Sequence, residues 1–483
     1  MRLPSAIWLR VLLWVLVGLL LCLGISWWQR GAAHLPQPLL PQDPLIQVYF
    51  NHSQASLYRE PYRRQERLGD DLEQVIVEAI RAAQVSVDVA VQELRLPQIA
   101  AALQQRQQAG VKVRVILENT YSHPFSSVSA QDAEQLEERD RHRYQEGIQL
   151  IDTNHDGLLA ADEIAQNDAL VVLQTAQVPI LDDTADSSKG SDLMHHKFIV
   201  VDGQRLLLGS ANFTTSDIHG DFAAPETQGN ANHLVQIQSP AVAQLFTDEF
   251  NLMWGDGPGK LTDSQFGLQK PYRPARSIQL AAGSRVTVQF SPTSSARTWD
   301  ESVNGLIGRS LAAATRQIDL ALFVFSDQAL SNGLEALHQR GVQVRALIES
   351  GFAFRAYSEA LDMLGVAMPD QKCRLELGNQ PWRRAIASVG TPTLPEGDLL
   401  HHKFAIIDGM RVITGSQNWS AAANHSNDED LLVIDNPTVA THFQREFERL
   451  YATAALGVPT WLQQKARQEH ARCRLAHRLP FTP

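Results

Sequence analysis

The chain has 483 residues, and its 42 Lys and Arg against 53 Asp and Glu give a net charge of −11. With 44% hydrophobic and 20% charged residues the composition is that of an ordinary globular protein, which excludes a disordered or collagen-like chain. The acidic balance argues against a broad basic surface for duplex DNA, but it does not exclude a narrow basic cleft. The length predicts about two to four domains that each bury a core of their own.

The first predicted element is an uncharged segment at the N-terminus, residues 11–28. It is just long enough to cross a bilayer as a helix. Arg2 and Arg10 precede it, so the positive-inside rule places the N-terminus in the cytoplasm and the body of the chain on the other side. We therefore expect a membrane-anchored or exported protein that works outside the cytoplasm, in a bacterial-type cell envelope or the extracellular space.

Three interpretations of this N-terminal segment stay open. The pattern favours a signal anchor, and the small residues 31–33 also offer a cleavage site for a signal peptide. A lipoprotein anchor at Cys22 is disfavoured because Leu21 is too large for the usual processing site. The predicted boundaries are residues 1–30 for the segment and residues 31–44 for a Pro-rich tether to the body.

An internal duplication organises the body of the chain. Residues 110–114 read GVKVR and residues 341–345 read GVQVR, an offset of 231. An amphipathic helical stretch, a β-rich run and a second helix precede each copy, a βαβ pattern that predicts an α/β fold with two duplicated units. The predicted boundaries are 45–257 for the first unit, 258–282 for a linker, 283–456 for the second unit and 457–483 for a C-terminal tail.

The same motif occurs once in each unit. Residues 195–203 read HHKFIVVDG with GSAN at 209–212, and residues 401–409 read HHKFAIIDG with GSQN at 415–418. Alternate side chains of a strand share a face, so the first His and the Lys of each copy point into one pocket. The Asp-Gly turn then returns the Gly-Ser-x-Asn group alongside. A Lys, a hydroxyl and an amide around a His predict a phosphate-binding site.

These paired His-x-Lys-x4-Asp elements resemble those of the phospholipase D superfamily over nearly all of residues 45–456. The resemblance implies two α/β units packed face to face as a pseudo-two-fold pair with one shared active site and no catalytic metal. It also implies that one histidine attacks phosphorus to form a phosphohistidine while the other protonates the leaving alcohol. Carried over by motif position, the implied residues are His195 and His401 as nucleophile and acid/base, Lys197 and Lys403 with Asn212 and Asn418 as phosphate ligands, Ser210 and Ser416 beside them, and Asp202 and Asp408 as mainly structural parts of the catalytic motif.

The two histidines must differ in protonation, because one attacks and the other donates a proton. Glu429 matches the acidic residue that orients the histidine in the family, whereas Asn232 stands in the comparable stretch of the first unit. A carboxylate favours a charged imidazole, and an amide only orients it. Our hypothesis is that His401, paired with Glu429, is the general acid and that His195, oriented by Asn232 at the substrate site, is the nucleophile.

The first unit contains an insertion, because the two motifs are 206 residues apart while the upstream strands are 231 apart. Within it, residues 152–163 read DTNHDGLLAADE and resemble an EF-hand loop, with a solvated turn as the alternative. The predicted calcium ligands are Asp152, Asn154, Asp156, the carbonyl of Leu158 and a bidentate Glu163. We expect a structural or regulatory Ca²⁺ of modest affinity, which suits the millimolar calcium outside a cell.

The favoured function is a phospholipase D-type hydrolase that acts on phospholipid head groups at a membrane as a monomer. The alternatives are an exported nuclease or nucleic-acid phosphodiesterase, a phosphatidyltransferase of the cardiolipin synthase type, and a calcium-binding surface protein without catalysis. The acidic charge disfavours the nuclease, and the two intact motifs disfavour the protein without catalysis. The choice between hydrolysis and transfer stays open, as does a disulfide between Cys373 and Cys473.

Overall fold

The structure is a computed structural model that describes residues 37–188 and 192–476. The predicted N-terminal membrane segment lies outside these residues. Among the helices that are described, none combines the length and the apolar character needed to span a bilayer.

Two mixed sheets, one in each half, form the frame of the molecule. The strands of the first half are β1 (Ile46–Phe50), β2 (Leu57–Arg59), β3 (Glu66–Leu68), β4 (Ser86–Val91), β5 (Lys112–Leu117), β6 (Ile180–Asp182), β7 (Lys197–Val201), β8 (Arg205–Gly209) and β9 (His233–Gln238). Those of the second half are β10 (Arg276–Gln279), β11 (Arg285–Phe290), β12 (Gln317–Leu322), β13 (Gln343–Ile348), β14 (Val389–Thr391), β15 (Lys403–Ile407), β16 (Arg411–Gly415), β17 (Asp430–Asp435) and β18 (Ala455–Leu456).

Helices cover the sheets. Those of the first half are α1 (Leu72–Arg81), α2 (Pro97–Gln108), α3 (Ala130–Gln135), α4 (Glu138–Ile151), α5 (Ala161–Asn167), α6 (Ala169–Thr175), α7 (Thr215–Ile218) and α8 (Pro240–Trp254). Those of the second half are α9 (Val303–Leu311), α10 (Gln328–Gln339), α11 (Ser350–Ala353), α12 (Glu359–Met363), α13 (Ala421–His425), α14 (Pro437–Tyr451) and α15 (Thr460–Ala476).

The two sheets repeat one topology. The first has the strand order β1-β9-β8-β7-β4-β5-β6, and the second contains the equivalent order β11-β17-β16-β15-β12-β13-β14, with β10 and β18 added at its edges. In both, the three strands after the central one run parallel and the others antiparallel. The predicted mixed α/β class with two units is therefore confirmed. The edge strand β10 falls inside the predicted linker, and α15 falls inside the predicted tail.

The halves share one hydrophobic core. Helices α8 and α14 contribute buried aromatic side chains from opposite halves, including Phe246 and Phe443, to a single cluster with residues of both sheets. Each of these helices begins with a proline behind a capping side chain, Ser239 for α8 and Asn436 for α14. Burial of each such aromatic side chain contributes roughly 1.5–3 kcal/mol, so the shared core fixes the two halves together.

The second half carries a disulfide that the sequence left open. Cys373 and Cys473 are bonded, with a sequence separation of 100 residues. The bond ties the long α15 to the segment that follows α12. Leu462 of α15 is buried against Leu361 and Met368 in the same region. Apolar contacts and a covalent bond therefore both attach this helix to the second half.

The insertion of the first half lies between β5 and β6, residues 118–179. The equivalent connection of the second half, between β13 and β14, covers residues 349–388 and is shorter. Helices α3 to α6 occupy the insertion, and α4 is followed directly by the EF-hand-like loop. The extra length predicted from the two offsets is therefore located at one edge of the first sheet.

Candidate active site

The backbone of each motif histidine is held by the opposite half. The amide N–H of His195 donates to the carbonyl of Asp428 at 2.9 Å, and that of His401 donates to the carbonyl of Ala231 at 3.1 Å. Parallel bridges join the same segments, Met194 with Asp428 and Ala231 with Leu400. The start of β7 thus lies against the segment before β17, and the start of β15 lies against the segment before β9.

The side chains of the two histidines also cross between the halves. The Nδ1 of His195 donates to Oε2 of Glu429 at 2.6 Å, and the Nδ1 of His401 donates to Oδ1 of Asn232 at 3.0 Å. The predicted pairing of His401 with Glu429 and of His195 with Asn232 is therefore wrong. The error came from pairing each histidine with a residue of its own half, whereas the backbone crossing brings the partner from the other half.

The crossing fixes the ring tautomers. Asn232 uses its Nδ2 to donate to the carbonyl of Asp217 at 2.9 Å, so its Oδ1 faces His401 as an acceptor. The carboxylate of Glu429 accepts only. Each ring therefore carries its Nδ1 proton toward its partner and keeps Nε2 for the cavity. A nitrogen held in this way can attack a substrate when neutral or donate a proton when charged.

The motif lysines lie beside the histidines, but neither is among the residues that line the cavity of the two rings, where the strand geometry predicted them. The Nζ of Lys197 donates to the carbonyl of His195 at 2.8 Å and to Gln92 at 3.3 Å, and the Nζ of Lys403 donates to the carbonyl of His401 at 2.7 Å. Both side chains are buried, with 1% of each residue exposed. Two buried ammonium groups near one cavity give the site a local positive potential in an acidic protein.

Burial and the lysines depress the pKa of both histidines. The pKa of His195 lies well below its usual value because the ring is buried and because Lys197 and Lys403 are close. Burial, Lys403 and Lys197 lower the pKa of His401 in the same way, and burial and Lys197 lower that of Lys403. An anion in the cavity would offset the lysine charges and raise the histidine pKa values again, so the site favours a bound phosphate.

One cavity of about 340 Å³ contains both histidines. The amides of Asn212 and Asn418 also line it, and among the described residues neither Oδ1 has a hydrogen-bond partner. An amide Oδ1 only accepts, so these two atoms can accept a hydrogen bond from water or a hydroxyl, whereas the Nδ2 of each amide is the atom able to donate to a phosphate oxygen. Both side chains line the cavity, and their role as phosphate ligands stays a prediction.

The two motif serines lie behind the cavity. The hydroxyl of Ser210 donates to Oδ1 of Asn232 at 2.7 Å, and the hydroxyl of Ser416 bonds the Glu429 carboxylate and accepts from the N–H of Asp430. Neither serine is exposed. In the structure they support the partners of the histidines and do not line the cavity.

The motif aspartates lie at the far end of the motif strands, at the turns that follow β7 and β15. Asp202 accepts hydrogen bonds from the three consecutive N–H groups at the start of β4, those of Gln84, Val85 and Ser86. Asp408 does the same for the three N–H groups that lead into β12. Both residues have positive φ, 54° and 53°. Their geometry is structural, as the resemblance implied.

The wall of the cavity differs between the halves. On the side of the insertion it carries Glu93 with an arginine on each side, Arg95 at 3.0 Å and Arg143 of α4 at 2.7 Å. On the other side Phe323 packs against the ring of His401, with 4.8 Å between the ring centroids. Sequence reasoning missed this wall because its members belong to no motif and come from distant segments.

The EF-hand-like loop lies between the helices α4 and α5. Gly157 adopts a φ of +81°, which the sharp turn requires, and the loop oxygens are of the kind that calcium prefers. In the structure, Glu163 accepts N–H groups at both ends of the loop, those of Asn154 and Ala160 at 3.1 Å. Within residues 37–188 and 192–476, no three Asp, Glu, His or Cys side chains are arranged to hold a metal ion. The calcium site stays a prediction.

Two equivalent sheets, each presenting a motif histidine to one shared cavity with a buried lysine beside it, define the phospholipase D type of site. The family model described as "Cardiolipin synthase, PLD-like domain" matches residues 76–254 and 307–451, one segment in each half. The chain belongs to this family of the phospholipase D superfamily.

Similar proteins agree with this placement. Mitochondrial cardiolipin hydrolase of Xenopus laevis is 33% identical over 141 residues, which is 29% of this chain and 57% of that protein. Phospholipase D of Rickettsia bellii is 25% identical over 191 residues, 40% of this chain and 74% of that protein. The chain spans about half the length of the cardiolipin hydrolases that it matches. The names of these relatives are those of phosphodiesterase-type enzymes, which supports the predicted enzyme class at the level of the superfamily.

A solved structure shows the same fold over most of the chain. Phosphatidylserine synthase from Haemophilus influenzae superposes with a TM-score of 0.53 and 12% identity, covering 91% of this chain and 96% of that one. At this identity the likeness concerns the fold alone.

Proposed function

We propose that the protein is a phospholipase D-type phosphodiesterase that hydrolyses the head-group phosphodiester of phospholipids through a phosphohistidine. The observation that carries the proposal is the pair of buried histidines in one cavity, each with its Nδ1 proton held by the opposite half. A phosphodiester needs a nucleophile for phosphorus and an acid for the departing oxygen, and this pair supplies both. One chain contains both histidines, so we propose that it acts as a monomer.

The observed partners reverse the sequence-based reason for the two roles, because the carboxylate lies beside His195 and not beside His401. We still assign the attack to His195, since a carboxylate can offset the charge that a phosphohistidine carries. When its Nε2 bonds to phosphorus, the ring keeps its Nδ1 proton and becomes positively charged, and the Glu429 carboxylate at 2.6 Å offsets that charge. As the N–P bond forms, the P–O bond to the alcohol breaks. The Nε2 proton of a charged His401 moves to the leaving oxygen.

The second step reverses these roles. Neutral His401 takes a proton from water at Nε2, the water oxygen attacks phosphorus, and the N–P bond breaks to release His195. Lys197 and Lys403, with the amides of Asn212 and Asn418, bind the phosphate oxygens in both steps. An alcohol in place of water would give transfer, which is the phosphatidyltransferase alternative.

A lipid substrate suits the cavity and the overall charge. Phe323, Leu399 and Leu193 line the cavity beside the histidines, and the chain carries a net charge of −11. Apolar groups around a phosphate site fit the lipid portion of a phospholipid. The net negative charge of the chain opposes broad contact with nucleic acid. Three arginines keep the cavity itself basic, namely Arg95, Arg139 and Arg143. The names of the relatives, cardiolipin hydrolase and phospholipase D, support the same substrate class.

The decisive experiment measures head-group release by the full chain from vesicles of phosphatidylcholine, phosphatidylglycerol and cardiolipin. The His195→Ala variant serves as the blank, and single-stranded and plasmid DNA are run in parallel. We expect lipid turnover that the variant lacks, with intact DNA. Cleavage of DNA without lipid turnover would replace the proposal with a nuclease, and a phosphatidyl product formed from added primary alcohol would indicate transfer.

We further propose that residues 1–30 anchor the protein to a membrane or direct its export. The Cys373–Cys473 bond supports a location outside the reducing cytosol. The mass of the chain purified from the membrane and the soluble envelope fractions distinguishes an uncleaved anchor from a processed signal peptide. Recovery of the full-length chain with both cysteines reduced in the cytosol would contradict the proposal.

We also propose that the loop at residues 152–163 binds a structural or regulatory Ca²⁺. Titration calorimetry of the full chain with CaCl₂ should show binding that Glu163→Gln removes, while Glu138→Gln, an exposed carboxylate at the start of α4, retains it. Each oxygen ligand lost weakens a calcium site. Equal heats from wild type and Glu163→Gln would assign the loop to a solvated turn.

A further inference from the structure

A buried carboxylate that no motif identified lies beside His401. Asp217, on α7, is 4% exposed and lines the cavity that holds both histidines. Its Oδ1 is 3.6 Å from the Nδ1 of His401. Among the described residues, no lysine or arginine lies within ion-pair distance of this carboxylate, although Lys197 and Lys403 are close enough for their charges to oppose the rise in its pKa that burial causes.

The hydrogen bonds of Asp217 aim it at His401. Its Oδ2 accepts the backbone N–H of Asn212 at 2.8 Å, and its Oδ1 accepts the amides of Asn230 at 2.6 Å and Asn232 at 3.3 Å. All three donors are neutral. They orient the carboxylate without cancelling its charge, so the negative charge remains available to the imidazole.

The need for such a charge follows from the crossed pairs. His195 has the carboxylate of Glu429, but His401 has only the amide of Asn232 at the equivalent position. An amide orients a ring without favouring its charged form. The proposed general acid must be charged before it can donate, and Lys197 and Lys403 oppose that charge. The second histidine therefore lacks an anionic partner unless Asp217 supplies it.

We propose that Asp217 is the positioning carboxylate that stabilises the imidazolium of His401 and so makes this histidine the general acid of the first step. It takes the place of the acidic side chain that is absent at Asn232. Asp217 acts in its ionised form: burial raises the pKa of this carboxyl, and the hydrogen bonds from Asn230 and Asn212 with the charges of the two motif lysines oppose that rise. The Nε2 proton of His401 moves to the leaving oxygen. This inference rests on the proposed phosphodiesterase function.

Other ionisable groups also act on His401, and the test must separate them. The groups that face it are Lys403 on its own strand, Lys197 and His195 from the first half, His402 next to it in sequence, and Asp217. Glu429 lies on the far side, bonded to His195. A variant at Asp217 changes one of these charges and leaves both lysines in place.

The leaving group of the substrate provides the decisive readout. A poor leaving group, such as the choline alkoxide of phosphatidylcholine, needs its proton from His401, whereas 4-nitrophenolate of bis(4-nitrophenyl) phosphate leaves without one. For Asp217→Asn we expect a loss of about 10²-fold in single-turnover phosphoenzyme formation with the lipid and less than about threefold with the nitrophenyl ester. Equal losses on both substrates would mean that Asp217 only holds the fold, and the inference would be wrong.

A pH profile tests the same charge. Removal of the negative charge beside His401 lowers the pKa of its imidazolium, so the alkaline limb of kcat should move about one pH unit or more toward lower pH in Asp217→Asn. Asn232→Asp in the Asp217→Asn background returns a carboxylate to within hydrogen-bond distance of His401. We expect this double variant to recover lipid turnover at least about tenfold.

The control is Asp221→Asn, which removes a nearby carboxylate that bonds Ser216 and does not line the cavity. It should match wild type on both substrates. If the wild-type protein shows no turnover beyond that of His195→Ala, the proposed function itself is wrong. A functional wild type with Asp217→Asn unchanged in rate and pH profile would remove only the inference. If Asp217→Asn fails to fold, the folded double variant with Asn232→Asp decides. Leaving-group selectivity like that of wild type in the double variant supports the role of a carboxylate beside His401. A double variant without that selectivity contradicts the role.

Discussion

The two halves of the protein have the same backbone around their motif histidines but differ in the side chain that contacts each ring. His195 receives a carboxylate from the opposite half, and His401 receives an amide, with Asp217 of the first half 3.6 Å away. A two-step displacement is chemically asymmetric, because one ring must attack while the other donates. The comparison teaches that a duplicated scaffold can perform such a reaction by changing the partners of the histidines and leaving the histidines themselves equivalent.

The two halves also differ in the residues around the second histidine of each motif. His196, next to His195, lies between the carboxylates of Glu249 and Asp430, whereas His402 contacts Glu446 and the ring of His233. Lys270 and Arg273 from the linker pair with Glu249, and Arg449 pairs with Glu446. The inner surface between the halves is thus charged differently around the two motifs, although the strands match.

The largest effect should come from the motif histidines. His195→Ala removes the proposed nucleophile and should lower lipid turnover by about 10³-fold or more. His401→Ala should also lower turnover, but with bis(4-nitrophenyl) phosphate it should accumulate a phosphoenzyme, because the base for water attack is gone. Mass spectrometry of quenched His401→Ala should place the adduct on His195. An adduct of wild type on His401 would reverse the two roles.

The crossed partners should differ in their effects. Glu429→Gln leaves a neutral partner beside the charged phosphohistidine and should lower kcat by about 10²-fold. Asn232→Ala removes the neutral acceptor of His401, along with the bonds of the same amide to Ser210 and Asp217, and should lower kcat by about tenfold. Steady-state kinetics on phosphatidylcholine vesicles measures both, with circular dichroism as the check on folding. A larger loss in Asn232→Ala than in Glu429→Gln would contradict the importance of the carboxylate.

The acid limb of the pH profile should report Glu429. Burial raises the pKa of this carboxyl to about 7, against the opposing effect of Lys197. Because a protonated Glu429 no longer offsets the positive phosphohistidine, kcat/KM should fall as the pH drops below about 7, by about tenfold per pH unit. In Glu429→Gln the residual activity should lose this limb. An unchanged acid limb in that variant would assign it to another group.

The smallest effect on turnover should come from the disulfide, which belongs to the second half only. Cys373→Ser with Cys473→Ser should lower the free energy of unfolding by about 2–4 kcal/mol, because the bond closes a 100-residue loop. We expect kcat to stay unchanged because neither cysteine lines the cavity. Wild type treated with dithiothreitol is the matched comparison, and a loss of kcat in both samples would connect α15 to the site.

The fold and the motif positions could be predicted because they repeat. The buried runs of β7 and β15 carry the same residues at the same spacing, and Asn212 and Asn418 lie in the cavity as that spacing requires. Because the same pattern occurs in both halves, each copy independently indicates the same local structure.

The partners could not be predicted, because they depend on contacts between segments far apart in the chain. Glu429 is 234 residues from His195, and only the packing of the halves brings them together. Asp217 stands on a four-residue helix, which is too short for any periodic pattern to single it out. The Cys373–Cys473 bond has the same character, since spacing alone does not choose between pairing and free thiols.

The exchange of backbone contacts between the halves also bears on how such a protein can diverge. In a symmetric dimer of single-motif chains, every substitution appears at both rings, so the two histidines would always have identical neighbours. Covalent duplication removes that restriction, because a mutation in one copy of the gene segment changes one ring only. The pairs His195–Glu429 and His401–Asn232 show this difference, because one histidine has a carboxylate partner and the other has an amide, each supplied by the opposite half. If the two halves were identical copies, both histidines would have the same partner.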